Sequence, residues 1–177
     1  MEDASKTTWI VAALNRHERH LVRYATWILG DIERAREVVQ ETFLRLCKEQ
    51  PSRLGGHLAQ WLFTVCRNLA FDIRRKENRM RSLSDDELNA LHRTGREPRP
   101  HAALEQNETL SQVLQVVERL PKNQREVVYL KFQCDLSYKE ISDITRLSVT
   151  NVGFLIHTAI KALRKELLTE SSKRRMQ

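Results

Sequence analysis

Toward the carboxyl end of the chain, Thr150, Asn151, Phe154, His157, Thr158 and Lys161 recur at intervals of three and four, which places them on one side of a helix. Those side chains suit a nucleic-acid groove. An Asn amide can pair with an adenine edge, a Phe ring and a Thr methyl can meet a thymine methyl, and a helix amino end receives phosphate without any Lys. A second set, Arg36, Glu37, Gln40, Glu41 and Arg45, has the spacing of an outer helix face, in the simplest case a solvated one. A third stretch, "RRKENRMR" from Arg74, is a cationic helix end, suited to phosphates or to the helix dipole. Covalent and metal chemistry finds no counterpart. Cys47, Cys66 and Cys134 are far apart and lack the paired spacing of a zinc site or a disulfide framework, so buried free thiols are expected. The six His and three Cys form no metal set, and no glycine-rich phosphate loop is present, so neither an enzyme nor a cofactor is expected.

The elements that must position these residues are helices. With five Gly, four Pro and no alternating Val/Ile/Thr runs of useful length, the apolar residues fall on a three-to-four spacing. The fold class is all-α. Trp9, Ala13, His17, Leu21, Tyr24 or Ala25, and Ile28 form one inward stripe, closed by Gly30 and followed by Asp31 as the cap of the next helix. In that second helix Ala35, Val38, Thr42, Phe43 and Leu46 point inward. "PSRLGG", Pro51 to Gly56, reads as a loop. A third helix is expected over 57–80, with an inward stripe of Leu58, Trp61, Leu62, Val65, Leu69 and Ile73.

From Ser82 the periodicity fades and "TGREPRP" interrupts the chain, the composition of a flexible linker over 82–105, with Ser84 and Glu87 spaced to cap a short helix inside it. Periodicity returns at Leu104, Leu110, Val113, Leu114 and Val117, stops at Pro121, and resumes through Val127, Val128, Leu130 and Phe132. Ser137 and Glu140 form a capping box for a short helix through Ile141 and Ile144; "TRL" is a turn; Ser148 caps a longer helix with Val149, Val152, Ile156, Ala159 or Ile160, and Leu163 inward. Two capped helices about a short turn are the helix-turn-helix pattern, although an ordinary helical hairpin shares it. The expected architecture is therefore two small helical domains, 1–81 and 106–177, joined by 82–105.

The formal charge of +7 and pI near 9.6 favour a polyanionic partner. The first apolar run is broken by Asn15 and Arg16, too early for a signal segment or a membrane span, so a soluble, cytoplasmic chain without membrane insertion is expected.

Three segments resemble one family, the bacterial RNA polymerase sigma factors of the extracytoplasmic-function type. "LGDIERAREVVQETFLRLC" is similar to its L-G-D-x-x-x-A-E-D-x-V-Q-E-T-F-L-R segment and "WLFTVCRNLAFDIRRKENR" to its W-L-x-x-I-A-R-N-x-x-x-D-x-x-R-R helix. "RLPKNQREVVYLKFQCDLSYKEISDITRLSVTNV" is similar to its L-P-x-x-x-R-E-V…L-S-Y-x-E-I-A…S-V-x-T-V module. The resemblance implies a subunit that directs core RNA polymerase to promoter DNA and helps to melt it, with an anti-sigma protein as a further partner. It assigns polymerase docking to Glu37, Gln40 and Glu41. In the minus-ten element it gives Asn68 to a flipped base, Phe63 to the aromatic wall beside it, the loop from Ser52 to His57 to a pocket lid, and Arg67, Arg74, Arg75 and Lys76 to the strand phosphates. The helix-turn-helix would meet the minus-thirty-five element through Thr150, Asn151, Phe154, His157 and Lys161, with Arg125, Lys139 and Arg146 on phosphates. Glu37 stands where the family usually has Asp, Arg146 where it has a turn Gly, and Gly153 and Leu155 where it has Lys and Arg. The rival is a free-standing helix-turn-helix regulator binding duplex operators; it has no need of the "VVQETFL" and "WLFTVCRN" segments.

Overall fold

A computed structural model describes the backbone of residues 2–85 and 116–174 and the side chains of 5–80 and 116–166. Among the described residues there is no strand, and no helix is long and apolar enough to cross a membrane. The chain divides into two compact units, 1–99 and 100–177, so the division falls within the stretch whose composition reads as a linker.

The first unit is built from α1 (Glu2–Leu29), α2 (Ile32–Leu46), a helical turn α3 (Pro51–Leu54) continued by a 3-10 turn (Gly55–His57), and α4 (Leu58–Asp85). Gly30 closes α1 at φ 74°, its N–H donating to the Thr26 carbonyl at 2.7 Å. A residue with a Cβ would be strained there. One residue later Asp31 opens α2 by accepting from the backbone N–H of Glu33 and Arg34 at 2.9 and 3.1 Å. The α1–α2 corner is thus set within the nine residues from Thr26 to Arg34, and α1, α2 and α4 pack against one another. Their shared core holds Leu21, Tyr24, Ala25 and Ile28 of α1, Ala35, Val38, Val39, Thr42, Phe43 and Leu46 of α2, and Leu62, Phe63, Cys66 and Ala70 of α4.

Three expectations for this unit need correction. "PSRLGG" is not a plain loop: Pro51 occupies the first position of α3, where its missing N–H costs nothing, and Gly55 ends the turn at φ 48°. α4 continues past Ser82 to Asp85, so Ser84 lies inside a helix rather than capping a new one; Glu87 lies outside the described residues. The buried line of α4 is Leu62, Phe63, Cys66 and Ala70, whereas Leu58, Trp61, Val65, Leu69 and Ile73 are only half-buried beside it.

In the second unit residues 116–119 are helical and lead through Leu120 and Pro121 into α5 (Lys122–Phe132), α6 (Tyr138–Thr145) and α7 (Val149–Arg174). The core comprises Val116, Leu120, Val127, Val128, Leu130, Leu136, Ile141, Ile144, Val152, Ile156 and Ala159. Leu104, Leu110, Val113 and Leu114 lie outside the described residues. Phe132 and Val149, both expected inward, are 58% and 47% exposed, because each sits at a helix end beyond the reach of its neighbours.

Candidate nucleic-acid and polymerase interfaces

On α4, Asn68 is exposed, and residues at four- and seven-residue spacing from it form one open face. Arg67, Asn68, Phe71, Asp72, Arg74, Arg75, Asn78 and Arg79 line a single depression there. The Arg67 guanidinium lies 4.6 Å above the Phe71 ring centre, a cation–π contact that holds the cation upright beside Asn68. Arg75 keeps a loose ion pair with Asp72 at 3.7 Å, both largely exposed, and Lys76 is exposed.

One member of the expected set stands elsewhere. Phe63 is 1% exposed and packs edge-on against Tyr24, ring centres 5.6 Å apart, so it cannot wall an open pocket. At about 100° per residue it lies about 140° around α4 from Asn68. Trp61, expected in the core, is half-buried and stands seven residues before Asn68, hence on the same face two turns away. The arginine pair borders the depression together but differs in its bonds. Arg74 turns toward α1 and donates to the Ile28 carbonyl at 3.2 Å, one of the last carbonyls of α1 that have no partner within that helix. The Ser52–His57 segment is mostly exposed and forms the α3 turn.

The acidic face of α2 is as spaced. Glu37 and Gln40 are exposed and Glu41 is half-exposed, bonded through Oε1 to Arg45 Nε at 2.9 Å. Sequence reasoning missed what lies alongside. Leu14, Val22, Val39, Phe43 and Leu44 line an apolar groove of about 280 Å³ between α1 and α2, with Gln40 on its rim. Leu44 is 52% exposed and Val11 51%. The signal was available: Leu44 follows Gln40 by four residues and Glu37 by seven, so an apolar residue interrupts the polar face.

In the second unit the helix-turn-helix is capped as its residues require. Ser137 and Glu140 complete a reciprocal capping box on α6. Arg146 forms the turn in the left-handed region, φ 63° and ψ 23°, its N–H donating to Ser142, and Ser148 accepts from the Asn151 N–H at 3.2 Å to open α7. Thr150, Asn151, Phe154, His157 and Lys161 are all exposed on α7, Arg146 is exposed at the turn, and Lys139 is exposed in the first turn of α6. Arg125 departs from expectation: it is half-buried and donates to the Leu120 carbonyl at 3.2 Å, bracing the entry to α5 rather than standing on the outer face. At Gly153 a Cβ would lie 3.6 and 3.8 Å from the Tyr138 ring, ordinary van der Waals contact, so the space there does not require a glycine.

The three Cys do not behave alike. Cys66 is buried, and burial pushes its thiol up to about 12; Cys134 is half-buried and likewise pushed up to about 12. Cys47 is exposed, contrary to the expectation of burial, because it follows the last turn of α2 at the groove's end. Among the described residues no group of His, Cys, Asp and Glu could hold a metal ion.

An all-helical pair of units, one carrying an acidic face and an open basic face and the other a helix-turn-helix, has the make-up of a two-domain DNA-associated transcription protein, and known proteins of similar sequence show the family. Residues 13–80 match the family model for sigma-70 region 2 and residues 110–163 that for sigma-70 region 4. The chain is 30% identical over 142 residues to the ECF RNA polymerase sigma factor SigM of Bacillus subtilis, covering 80% of this chain and 85% of that protein. It is 29% identical over 169 residues to the ECF RNA polymerase sigma factor SigL of Mycobacterium tuberculosis, covering 93% and 92%. Among solved structures, the fold is similar to that of the sigma factor RpoE in complex with the anti-sigma factor NepR from Bartonella quintana, with a TM-score of 0.63, 22% identity and coverage of 94% and 98%. It is also similar to CnrH in complex with the cytosolic domain of CnrY, with a TM-score of 0.56, 22% identity and coverage of 90% and 88%. The chain belongs to the extracytoplasmic-function sigma factors, and its function is to direct RNA polymerase to promoters in transcription initiation.

Proposed function

We propose that this cytoplasmic, non-enzymatic initiation factor divides its work between the two units. The first unit docks on core polymerase through Glu37, Gln40, Glu41 and the apolar groove beside them, and captures the opened minus-ten strand on the Asn68 face of α4. The second holds the minus-thirty-five duplex with α7. An anti-sigma protein that covers the α1–α2 groove would compete with polymerase for the same face.

The observation that carries this reading is the α4 face, where an exposed amide lies beside an Arg–aromatic stack and further cations. Single-stranded bases stack on such platforms, amides pair with base edges, and cations track phosphates. A regulator that binds only duplex operators has no use for it. Trp61, on the Asn68 face, replaces Phe63 as the aromatic of the base site, and Arg75 and Lys76 hold phosphates while Arg74 supports the fold.

Run-off transcription with core polymerase tests the reading. Asn68→Ala should retain polymerase binding and lose opening of a duplex promoter, and a template already mismatched across the minus-ten element should restore most of the activity. An equal loss on both templates removes Asn68 from melting. Charge reversal at Glu37 or Glu41 should leave the helical content unchanged and abolish co-purification with core polymerase; co-purification at the wild-type level removes the docking face.

A further inference from the structure

The outer face of α7 is unusual in where its charge lies. Thr150, Phe154 and Thr158 follow one another at four-residue spacing and make a single row along the helix. Phe154, the centre of that row, is 65% exposed. Thr158 donates its hydroxyl to the Phe154 carbonyl at 2.8 Å, which turns the polar end of the side chain back to the helix. Phe154 is therefore the apolar crest of a ridge, and Asn151 and His157 flank it at three-residue spacing on either side. Cations stand at its two ends: Arg146 at the turn, and Lys161 and Arg164 further along α7, all exposed.

This pattern complements a major groove. Phosphates line the two rims of the groove and base edges its floor, where the 5-methyl group of a pyrimidine is the apolar feature presented. A cationic rim with an apolar centre fits a floor that carries such methyl groups. We propose that Phe154 is a specificity-determining residue that reads a 5-methylpyrimidine in the minus-thirty-five element. Thymine satisfies it, and 5-methylcytosine satisfies it equally, so cytosine methylation at that position strengthens promoter binding. The proposal rests on α7 being the helix that enters the minus-thirty-five duplex.

The probe is a duplex selected by holoenzyme from a library randomised over the minus-thirty-five element, compared with a scrambled duplex. Replacing thymine by deoxyuridine, one position at a time, removes a single methyl and leaves every hydrogen-bonding group in place. At one position it should weaken holoenzyme binding about fourfold, which corresponds to the ~0.8 kcal/mol of one buried methyl. Phe154→Ala should bind thymine and deoxyuridine alike there. With cytosine at the same position, 5-methylation should tighten binding by a similar factor in the wild-type protein alone. A wild-type protein indifferent to deoxyuridine at every position overturns the proposal, as does a difference that survives in Phe154→Ala. If Phe154→Ala instead lowers affinity for core polymerase and leaves base preference unchanged, the ridge is a protein contact and the proposal fails. Equal binding of selected and scrambled duplexes would refute α7 as the reading helix itself, a separate result from loss of the methyl effect alone.

Discussion

Arg74 and Arg75 are adjacent in the chain and both border the depression around Asn68, yet only Arg74 is bonded to α1. One residue along an α-helix is about 100° of rotation, enough to bring the Arg74 guanidinium within reach of the Ile28 carbonyl while Arg75 points further out. A charge-assisted hydrogen bond to a helix carbonyl contributes about 1.5–3 kcal/mol. Arg74→Ala should therefore lower the denaturation midpoint of the first unit by an amount of that order, while Arg75→Ala should leave it within about 0.5 kcal/mol of wild type and reduce only the affinity for an opened promoter. Chemical denaturation followed by circular dichroism separates the two. The Cys residues offer a second contrast at this scale. In the folded chain Cys47 is exposed, whereas Cys66 is buried with its thiol raised to about 12. An alkylating reagent at neutral pH should modify Cys47 rapidly and reach Cys66 only after unfolding; rapid labelling of Cys66 in the native protein would contradict the packing of α4 on α1.

At the scale of the element, the helix-turn-helix carries a strain that its sequence could have avoided. Arg146 holds a left-handed conformation at φ 63°, which costs a residue with a Cβ roughly 1–2 kcal/mol and a glycine almost nothing. Ser142 stabilises the turn by donating its hydroxyl to the Leu147 carbonyl at 2.6 Å and accepting the Arg146 N–H with its own carbonyl. The return for the strain is an exposed cation beside the amino end of α7. Arg146→Gly should stabilise the second unit by about 1 kcal/mol. The same change should weaken DNA binding for all sequences alike and lower the salt slope by about 1. A thermal shift together with a salt titration of promoter binding checks both signs. Stabilisation without any change in the salt slope would mean that the side chain holds no phosphate.

For the whole molecule, the division into two units means that an effect on one core need not reach the other. His17 provides a test. It is half-buried on α1, and burial, then Arg16 and His20 nearby, hold its imidazole below the usual value of 6.5. The unfolded chain therefore binds a proton more readily than the folded one, so stability from this group is full above pH 6.5 and declines as the pH falls below it toward the lower folded value. Unfolding of the first unit should occur at a lower temperature at about pH 5.5 than at about pH 7.5, and His17→Gln should reduce that difference. Fragments 1–99 and 100–177, prepared separately, should each unfold cooperatively, and the acid effect of His17 should appear in the first alone.

The helices, their caps and the helix-turn-helix were legible in the sequence because each depends on residues within one turn of one another. Asp31, Ser137 and Ser148 meet their own backbone three residues on or sooner, and no distant contact is needed to place them. The family was legible for a similar reason, since its motifs lie in continuous segments. The rotation of α4 was not. Eleven apolar residues from Leu58 to Ile73 cover too broad an arc for period alone to choose among them. The choice of Phe63 over Trp61 for the core was made by Tyr24 of α1, and the choice of Arg74 over Arg75 for support by the free carbonyl of Ile28, 46 residues away. The apolar groove likewise exists only where α1 meets α2. Periodicity states that a helix has an inner side; only the neighbours packed against it determine which residues are on that side, because close packing depends on the shapes that meet there.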